Sequence, residues 1–269
     1  MTQPSPVEFK NLFIDGAIPL GMLMGSTDPS LIEIAGYAGF DFVVLDNEHS
    51  ALDPSIMGNL VRAAEVSGQV PLIRLIENDA ALISRALDAG VRGIVITHVE
   101  TAAEVEKALA ATRFAPHGSR GWCPSTHTGR YSIGYWSRNS DRVTADVEII
   151  PLIESRRGVE NIEEILSVPG VRSAFFGPGD LSHEIGSPWQ KNEAGEPVGE
   201  IVDLMKTVVS ACKKHDVKLI GFPFPEITYE NAQRQLRDGF QAVCFGMDYL
   251  IFSGFCEQTA GRFGKKPRW

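Results

Sequence analysis

Asp46, Glu48 and His49 fall within four positions, directly after the apolar run Phe42-Val43-Val44-Leu45. An acid close to an imidazole is a proton-transfer pair, with the Asp46 carboxylate orienting the His49 ring as a base. Arg74 lies near the end of a second apolar run and offers a planar fork for a carboxylate. Thr97 and His98 close a third run, Glu154 a fourth, and Gly177-Pro178-Gly179-Asp180 a fifth. Glu154 and Asp180 are hard oxygen donors with no thiolate nearby, a donor set that suits Mg²⁺ or Mn²⁺. The glycines let backbone approach a ligand closely, and Leu181-Ser182 reads as a helix start with free N–H groups for an anion. Any one of these residues reads equally well as a cap or a rim charge, and Glu48 divides evenly between a supporting role and a solvated one. Taken together, at the ends of several apolar runs, they are hard to explain as caps.

Such a set needs a scaffold that gathers strand ends at one place. Eight β-rich apolar runs recur: Ile18–Met24, Asp41–Asp46, Pro71–Leu75, Gly93–Thr97, Val147–Ile153, Arg172–Phe176, Val217–Gly221 and Ala242–Phe245. Helix-length segments with 3.6-type periodicity lie between them, among them Ala80–Ala89, Thr101–Thr112 and Ile201–Lys214. Asp28-Pro29 and Asp53-Pro54 place a capping acid before a first-turn proline. Thr101 with Glu104 forms a capping box, and Gly39, Gly90 and Gly170 mark helix ends. Strands alternating with helices imply a parallel sheet, and a chain of 269 residues closes it as a single (β/α)8 barrel with its active site at the strand C-termini. A doubly wound open sheet is the alternative, weakened because no GxGxxG or P-loop follows any strand. Residues 116–146 predict a long loop rich in Gly, Ser, Thr, Trp and Tyr, serving as a folded lid or an oligomer contact.

Composition narrows the partners. Apolar residues make up 43% of the chain, enough for a sizeable core, and the net charge is −9 without blocks of like charge. That balance argues against nucleic acid and anionic membrane, though not against a small anion held by a local arginine. No apolar run approaches the roughly 20 residues of a membrane span. MTQPSPVEFK lacks the layout of a signal peptide, and Cys123, Cys212, Cys244 and Cys256 have no framework spacing. A cytoplasmic protein with reduced, mostly buried thiols is the expectation. None of the nine lysines falls at the C-terminal end of an apolar run; Lys218 opens the seventh. A Schiff-base aldolase needs a buried amine, so keto-acid chemistry here would have to use metal.

The stretches DFVVLDNEHS, PLIRL, ALDAGVRGIVI, TRFAPHGSRGW, IPLIES and FFGPGDLS, in that order, resemble the metal-dependent 2-keto-acid aldolases of the HpcH/HpaI type from about Gly21 to Asp248. The resemblance implies a class II pyruvate aldolase that forms or cleaves 4-hydroxy-2-keto acids through a metal-stabilised pyruvate enolate. It implies Glu154 and Asp180 as metal ligands, with Mg²⁺ first and Mn²⁺ or Co²⁺ possible, and no PLP or NAD. It further implies Arg74 on the pyruvate carboxylate and keto group, His49 with Asp46 as acid–base pair, and backbone of Gly179 and Asp180 on the carboxylate. A homo-oligomer, usually hexameric, with the last helix (248–269) exchanged between subunits also follows from it.

Three positions depart from that pattern: Asn47 in place of Gly, Leu152 in place of Gln two residues before Glu154, and His98 after the fourth run. A histidine there resembles macrophomate synthase, so the departures bear on the acceptor half of the substrate, with His98 expected to contact it. An oxaloacetate decarboxylase or macrophomate-synthase-like enzyme using the same enolate is the nearest rival. A non-catalytic keto-acid-binding barrel is another, and a citrate-lyase-type enzyme would want a basic patch for nucleotide phosphates that the sequence lacks. His117, His127, His183 and His215 read as surface or loop histidines. Arg120 is expected to line the site or pin the long loop, and Trp122, Tyr131 and Tyr135 to pack a lid or interface.

Overall fold

The computed structural model describes residues 8–186, 190–192 and 197–268. A 3-10 segment, Phe9–Gly16, leads into β1 (Leu20–Met24). There follow α1 (Pro29–Tyr37), β2 (Phe42–Asp46), α2 (Pro54–Val66), β3 (Val70–Leu75), α3 (Ala80–Ala89), β4 (Gly93–Ile96), α4 (Ala102–Thr112) and α5 (Ile133–Ala145). Next come β5 (Glu148–Ile153), α6 (Arg156–Glu160), α7 (Ile162–Ser167), β6 (Ser173–Phe176) and α8 (Pro178–Glu184). A short hairpin of β7 (Gln190–Lys191) and β8 (Pro197–Val198) precedes α9 (Glu200–His215), β9 (Lys218–Gly221), α10 (Tyr229–Asp238), β10 (Ala242–Met247) and α11 (Asp248–Arg262). Eight parallel strands close a barrel in the order β1-β2-β3-β4-β5-β6-β9-β10, with β10 returning to β1. The (β/α)8 architecture expected from the alternation is therefore the one observed.

The helices start where the sequence caps them. Asp28 and Asp53 each accept from the N–H two residues on, at Ser30 and Ser55, with proline in the first turn. Glu104 reaches back to the Thr101 N–H at 2.9 Å. Gly90 ends α3 in the left-handed region at φ 108°, which an L side chain rarely adopts.

Side-chain alternation sorts each strand between two cores. Leu23, Phe42, Val44, Val70, Leu72, Val95, Ile150, Leu152, Phe175 and Ile220 share the cluster inside the barrel. Val43, Leu45, Ile73, Ile94, Ile96, Ile149 and Ile153 pack outward with the helices. Leu152 is a buried member of the inner cluster. Two residues further along the same inner face comes Glu154. The same step takes Val44 to Asp46 and Leu72 to Arg74, so the polar layer sits on top of the apolar one.

Segment 116–146 differs from expectation. Residues 133–145 form α5, anchored by buried Trp136 and capped by Ser132, whose hydroxyl accepts from the Tyr135 N–H. The segment follows α4 and runs to the start of β5, at the barrel end opposite the strand C-termini, so a lid over the site has no place there. Arg120 pins it: its guanidinium bonds Asp88 at 2.9 Å and lies over the Phe114 and Trp136 rings. Trp122 and Tyr131 are exposed, and Tyr135 stacks under Arg130.

At the chain's other end, α11 starts beside the mouth. The Asp248 carboxylate accepts from the N–H groups of Gly25 and Ser26, both at 2.9 Å, and the Tyr249 hydroxyl donates to the Gly25 carbonyl. Beyond that first turn it buries no residue, and Leu250, Phe252 and Phe255 stand more than half exposed.

Candidate active site

Asp46 and Arg74 are register partners on β2 and β3, so their side chains emerge side by side. Asp46 is fully buried and takes both arms of the guanidinium, Nε to Oδ1 at 3.0 Å and Nη2 to Oδ2 at 2.9 Å. Its Oδ1 also accepts from the N–H groups of Glu48 and His49. The pair thereby shapes the turn that carries the DNEHS residues. Asn47 adds to it by donating from its side chain to the Leu52 carbonyl, and the Ser50 hydroxyl donates to the Asp46 carbonyl. The Asp46–His49 dyad expected from the sequence is not what forms. The His49 ring is largely exposed, and its carboxylate neighbour is Glu48, with Nε2 3.6 Å from Oε2. Arg74, expected as a free fork, has its Nε and one Nη2 hydrogen bound to Asp46, and its Nη1 lies 3.1 Å from Glu48 Oε2.

Glu48 is thus a central residue that the sequence left undecided. Only 5% of its side chain is exposed, and it touches Arg74, His49 and His98. Its Oε2, although close to Arg74 and the His49 ring, has no aligned hydrogen-bond donor. The signal was present in the run Asp46-x-Glu48-His49, but only the turn geometry brings Glu48 inward.

Across the mouth, Glu154 is 4% exposed at the end of β5. Its Oε1 accepts the His98 N–H at 2.7 Å, and the His98 ring Nδ1 lies 3.2 Å from the same oxygen. The ring Nε2 lies 3.4 Å from Glu48 Oε1. His98 holds this pose with φ at 52°, a region uncommon for a side chain of its size. Its nitrogens therefore face the two carboxylates, where contact with an acceptor substrate was expected. Leu152, buried one layer below, does not reach the mouth as a polar residue would. Burial pushes the Glu154 carboxyl up to about 7; the neighbouring charges of Glu48 and Asp180 add to that, while the His98 N–H and ring charge oppose it.

Among the described residues, Glu48, His98 and Glu154 form the one group of three whose ligand atoms all lie within 4.8 Å of one another. Asp180, in the first turn of α8, is exposed and lies outside that group, though near enough for its charge to act on Glu154. Gly177 is required beside it: a Cβ there would stand 2.8 Å from Glu154 Cβ and 3.0 Å from its Oε2. Three carboxylates, of Asp46, Glu48 and Glu154, thus act on the guanidinium of Arg74, and the charge of Asp180 acts on Glu154. A buried carboxylate oxygen without an aligned hydrogen-bond donor, beside a carboxyl raised by burial, suits a site built for a divalent cation. Both oxygen donors and an imidazole fit such an ion.

The remaining expectations fall elsewhere. His117 and His183 are exposed, His127 pairs with Glu65 at 2.8 Å, and His215 pairs with Glu163 at 2.6 Å. All four cysteines are free; Cys212 and Cys244 are buried, but Cys123 and Cys256 are exposed, so the thiols are evenly divided where most were expected inside. Lys218 begins β9, at the far end from the site, and bonds Asp216. Among the described residues, no helix is long and apolar enough to cross a membrane.

Comparison with known proteins agrees with this geometry. The model of a family described as HpcH/HpaI aldolase/citrate lyase matches residues 20–253. A 2-dehydro-3,6-dideoxy-6-sulfogluconate aldolase of Pseudomonas putida is 36% identical over 173 residues, 63% of this chain and 67% of that protein. A 5-keto-4-deoxy-D-glucarate aldolase of Shigella sonnei is 30% identical over 262 residues, 97% of this chain and 98% of that one. The crystal structure of macrophomate synthase superposes with a TM-score of 0.78 at 25% identity, covering 94% of this chain and 89% of that one.

Proposed function

The chain belongs to the HpcH/HpaI aldolase/citrate lyase family and is a class II, metal-dependent aldolase, and we propose that it cleaves and forms 4-hydroxy-2-keto acids, with pyruvate as one product and an aldehyde as the other. The observation that carries this reading is the meeting of Arg74, Glu48, Glu154 and His49 at one mouth, where the strand ends converge.

A divalent cation from the group Mg²⁺, Mn²⁺ and Co²⁺, held at Glu154 with Asp180 as the further carboxylate, would supply Lewis-acid polarisation of the keto group. The chain's own residues do the rest. Asp46 fixes the guanidinium of Arg74, leaving its outer N–H groups for the substrate carboxylate and keto oxygen. Backbone of Gly179 and Asp180 completes the carboxylate cradle. His49, exposed at the rim and beside Glu48, takes the proton of the 4-hydroxyl. The C3–C4 electron pair then passes to C3 as the aldehyde leaves, and the resulting pyruvate enolate is protonated at C3. Synthesis runs the same steps backwards.

Two relatives in this family carry the names of aldolases for different sugar acids, which supports reading the variation as lying on the acceptor side. Assaying a panel of 2-keto acids and aldehydes with each metal tests the reading, and no turnover with any pyruvate–aldehyde pair would reject it. The likeness to macrophomate synthase favours one second reading, decarboxylation of oxaloacetate to the same enolate. Losing CO₂ needs no base, so His49→Ala separates the two: aldol turnover collapses, whereas decarboxylation would survive. The apolar, uncovered α11 supports a homo-oligomer in which this helix packs on a neighbouring copy, hexameric as the resemblance implies, and the free thiols support a cytoplasmic setting.

A further inference from the structure

The strand ends at the mouth fall into two halves of different chemistry. A step of two residues beyond the inner apolar cluster reaches Asp46 on β2, Arg74 on β3, Thr97 after β4 and Glu154 after β5, with Asp180 in the first turn of α8. The same step from Leu23 on β1 and Ile220 on β9 reaches Gly25 and Phe222 instead. On β10 a register shift sets Met247 opposite Leu23. Phe222 and Met247 pack against the inner cluster, and Phe222 stacks on Phe175 with ring centroids 4.8 Å apart. A Cβ at Gly25 would lie 2.5 Å from Met247 Cε and 2.7 Å from the Tyr249 ring, so those two side chains cover the place that a side chain on β1 would take.

This second half supplies no cation for a ligand. Residues 25–28, 222–227 and 247–249 contain no lysine or arginine, but three acids, Asp28, Glu226 and Asp248. The Asp248 carboxylate is spent on the Gly25 and Ser26 N–H groups, both at 2.9 Å, and Asp28 caps α1 through the Ser30 N–H. Arg234 approaches from α10, where it donates to the Phe224 carbonyl and to Asn231. The Ser26 hydroxyl accepts the Asp28 N–H at 3.1 Å, which leaves its own proton to donate. A charged group of a ligand seated here would lose water without gaining a counterion. A negative one would also share the mouth with the buried carboxylates of Glu48 and Glu154.

The chemistry decides which half of the substrate meets this wall. With the 2-keto acid held between Arg74 and the carboxylates of β5 and α8, the oxygen that His49 deprotonates belongs to the aldehyde half. The chain beyond that oxygen runs from the β2 end toward β1, β10 and β9. We propose that Gly25, Phe222 and Met247 form the acceptor subsite and select an uncharged hydroxyaldehyde over an aldehyde that carries a carboxylate. This rests on the aldolase reading of the site and deepens it to the class of acceptor. Asp248 is then a positioning residue, because it fixes the Gly25–Ser26 turn through the backbone.

Glyceraldehyde and 2-hydroxy-3-oxopropanoate are matched probes, differing only in a terminal CH₂OH against a carboxylate. With pyruvate and the full chain loaded with Mg²⁺, kcat/KM for glyceraldehyde should exceed that for the acid at least about 10-fold. The ratio of two acceptors measured on one protein does not depend on its active fraction or on damage to the donor half. Met247→Lys and Phe222→Lys each bring an ammonium to the subsite, and each should move that ratio toward the acid at least about 10-fold, whereas the uncharged Met247→Leu should move it less than about 3-fold. A wild type that turns over the acid as well as glyceraldehyde overturns the proposal, and so does a ratio unmoved by both lysine variants. Turnover of neither aldehyde by a wild type that exchanges the pyruvate methyl protons in D₂O also overturns it. In each of these cases metal-dependent exchange leaves enolate formation at the site standing; the absence of exchange and of all aldol turnover would remove both readings.

Discussion

Replacing Arg74 separates its structural work from its catalytic work. Asp46 is fully buried and spends both carboxylate oxygens on Arg74, at 2.9 and 3.0 Å, and Glu48 Oε2 lies 3.1 Å from Nη1. In Arg74→Met, Asp46 keeps only the two backbone donors of Glu48 and His49, at 3.0 and 3.4 Å. Removing one member of a buried pair costs about 3–5 kcal/mol, because a buried charge is left uncompensated. At about 2–4 °C per kcal/mol for a chain of this size, that is a fall of about 6–20 °C in Tm. Arg74→Lys keeps the charge but not the two-armed geometry, and loses about 1.5–3 kcal/mol of charge-assisted hydrogen bonding. If that loss falls on the transition state, kcat/KM drops roughly 10- to 150-fold at 1.36 kcal/mol per decade. Urea unfolding of wild type, Arg74→Met, Asp46→Asn and the double variant gives the stability cycle, and steady-state kinetics of Arg74→Lys gives the other half. A loss under 1 kcal/mol in Arg74→Met, or wild-type kinetics in Arg74→Lys, would refute the pairing as the organiser of the site.

Further consequences can be measured independently. Gly177→Ala drives a Cβ to within 2.8–3.0 Å of Glu154; displacing that carboxylate should weaken divalent-metal binding about 10-fold or more by calorimetry, and unchanged affinity would show that Glu154 is not a ligand. Burial raises the Glu148 carboxyl against the opposing pull of Arg172. A raised carboxyl contributes stability that is complete below its unfolded value and lost as pH rises through the folded one, so Glu148→Gln should flatten the fall in stability as pH rises above the ordinary carboxylate value in denaturant unfolding; an unchanged slope contradicts it. The exposed Leu250, Phe252 and Phe255 of α11 call for a covering partner. Light scattering should therefore find an oligomer at micromolar concentration, reduced by Phe252→Glu, and a monomeric wild type ends that reading.

The barrel was legible because alternation of apolar runs, capping acids and helix-ending glycines all agree with it. Arg74 and Glu154 were legible as well, because each stands where an inner strand face passes from apolar to polar. What escaped were facts set by pairing between strands. The Asp46–Arg74 bond depends on β2–β3 register, which no local pattern encodes, and it takes Asp46 away from His49. The inward turn of Glu48 depends on Asp46 capping the DNEHS backbone. Helix α5 escaped because Gly134, Ser137, Asn139, Ser140 and Thr144 are weak helix formers; burial of Trp136 and Val143 overrides them. The ring of His98 could not be placed while its φ was unknown, and a positive value reverses where an imidazole points.

The most direct test of the chemistry is proton exchange at the methyl group of pyruvate in D₂O, followed by NMR without any aldehyde. Chelator-stripped protein should exchange no faster than buffer, and a divalent ion should restore exchange. Borohydride added with pyruvate should leave the restored activity intact, because no lysine falls at the C-terminal end of a barrel strand to form an imine. Exchange that persists in chelator, or an inactivating borohydride adduct, would contradict metal-dependent enolisation at Glu154 and Arg74.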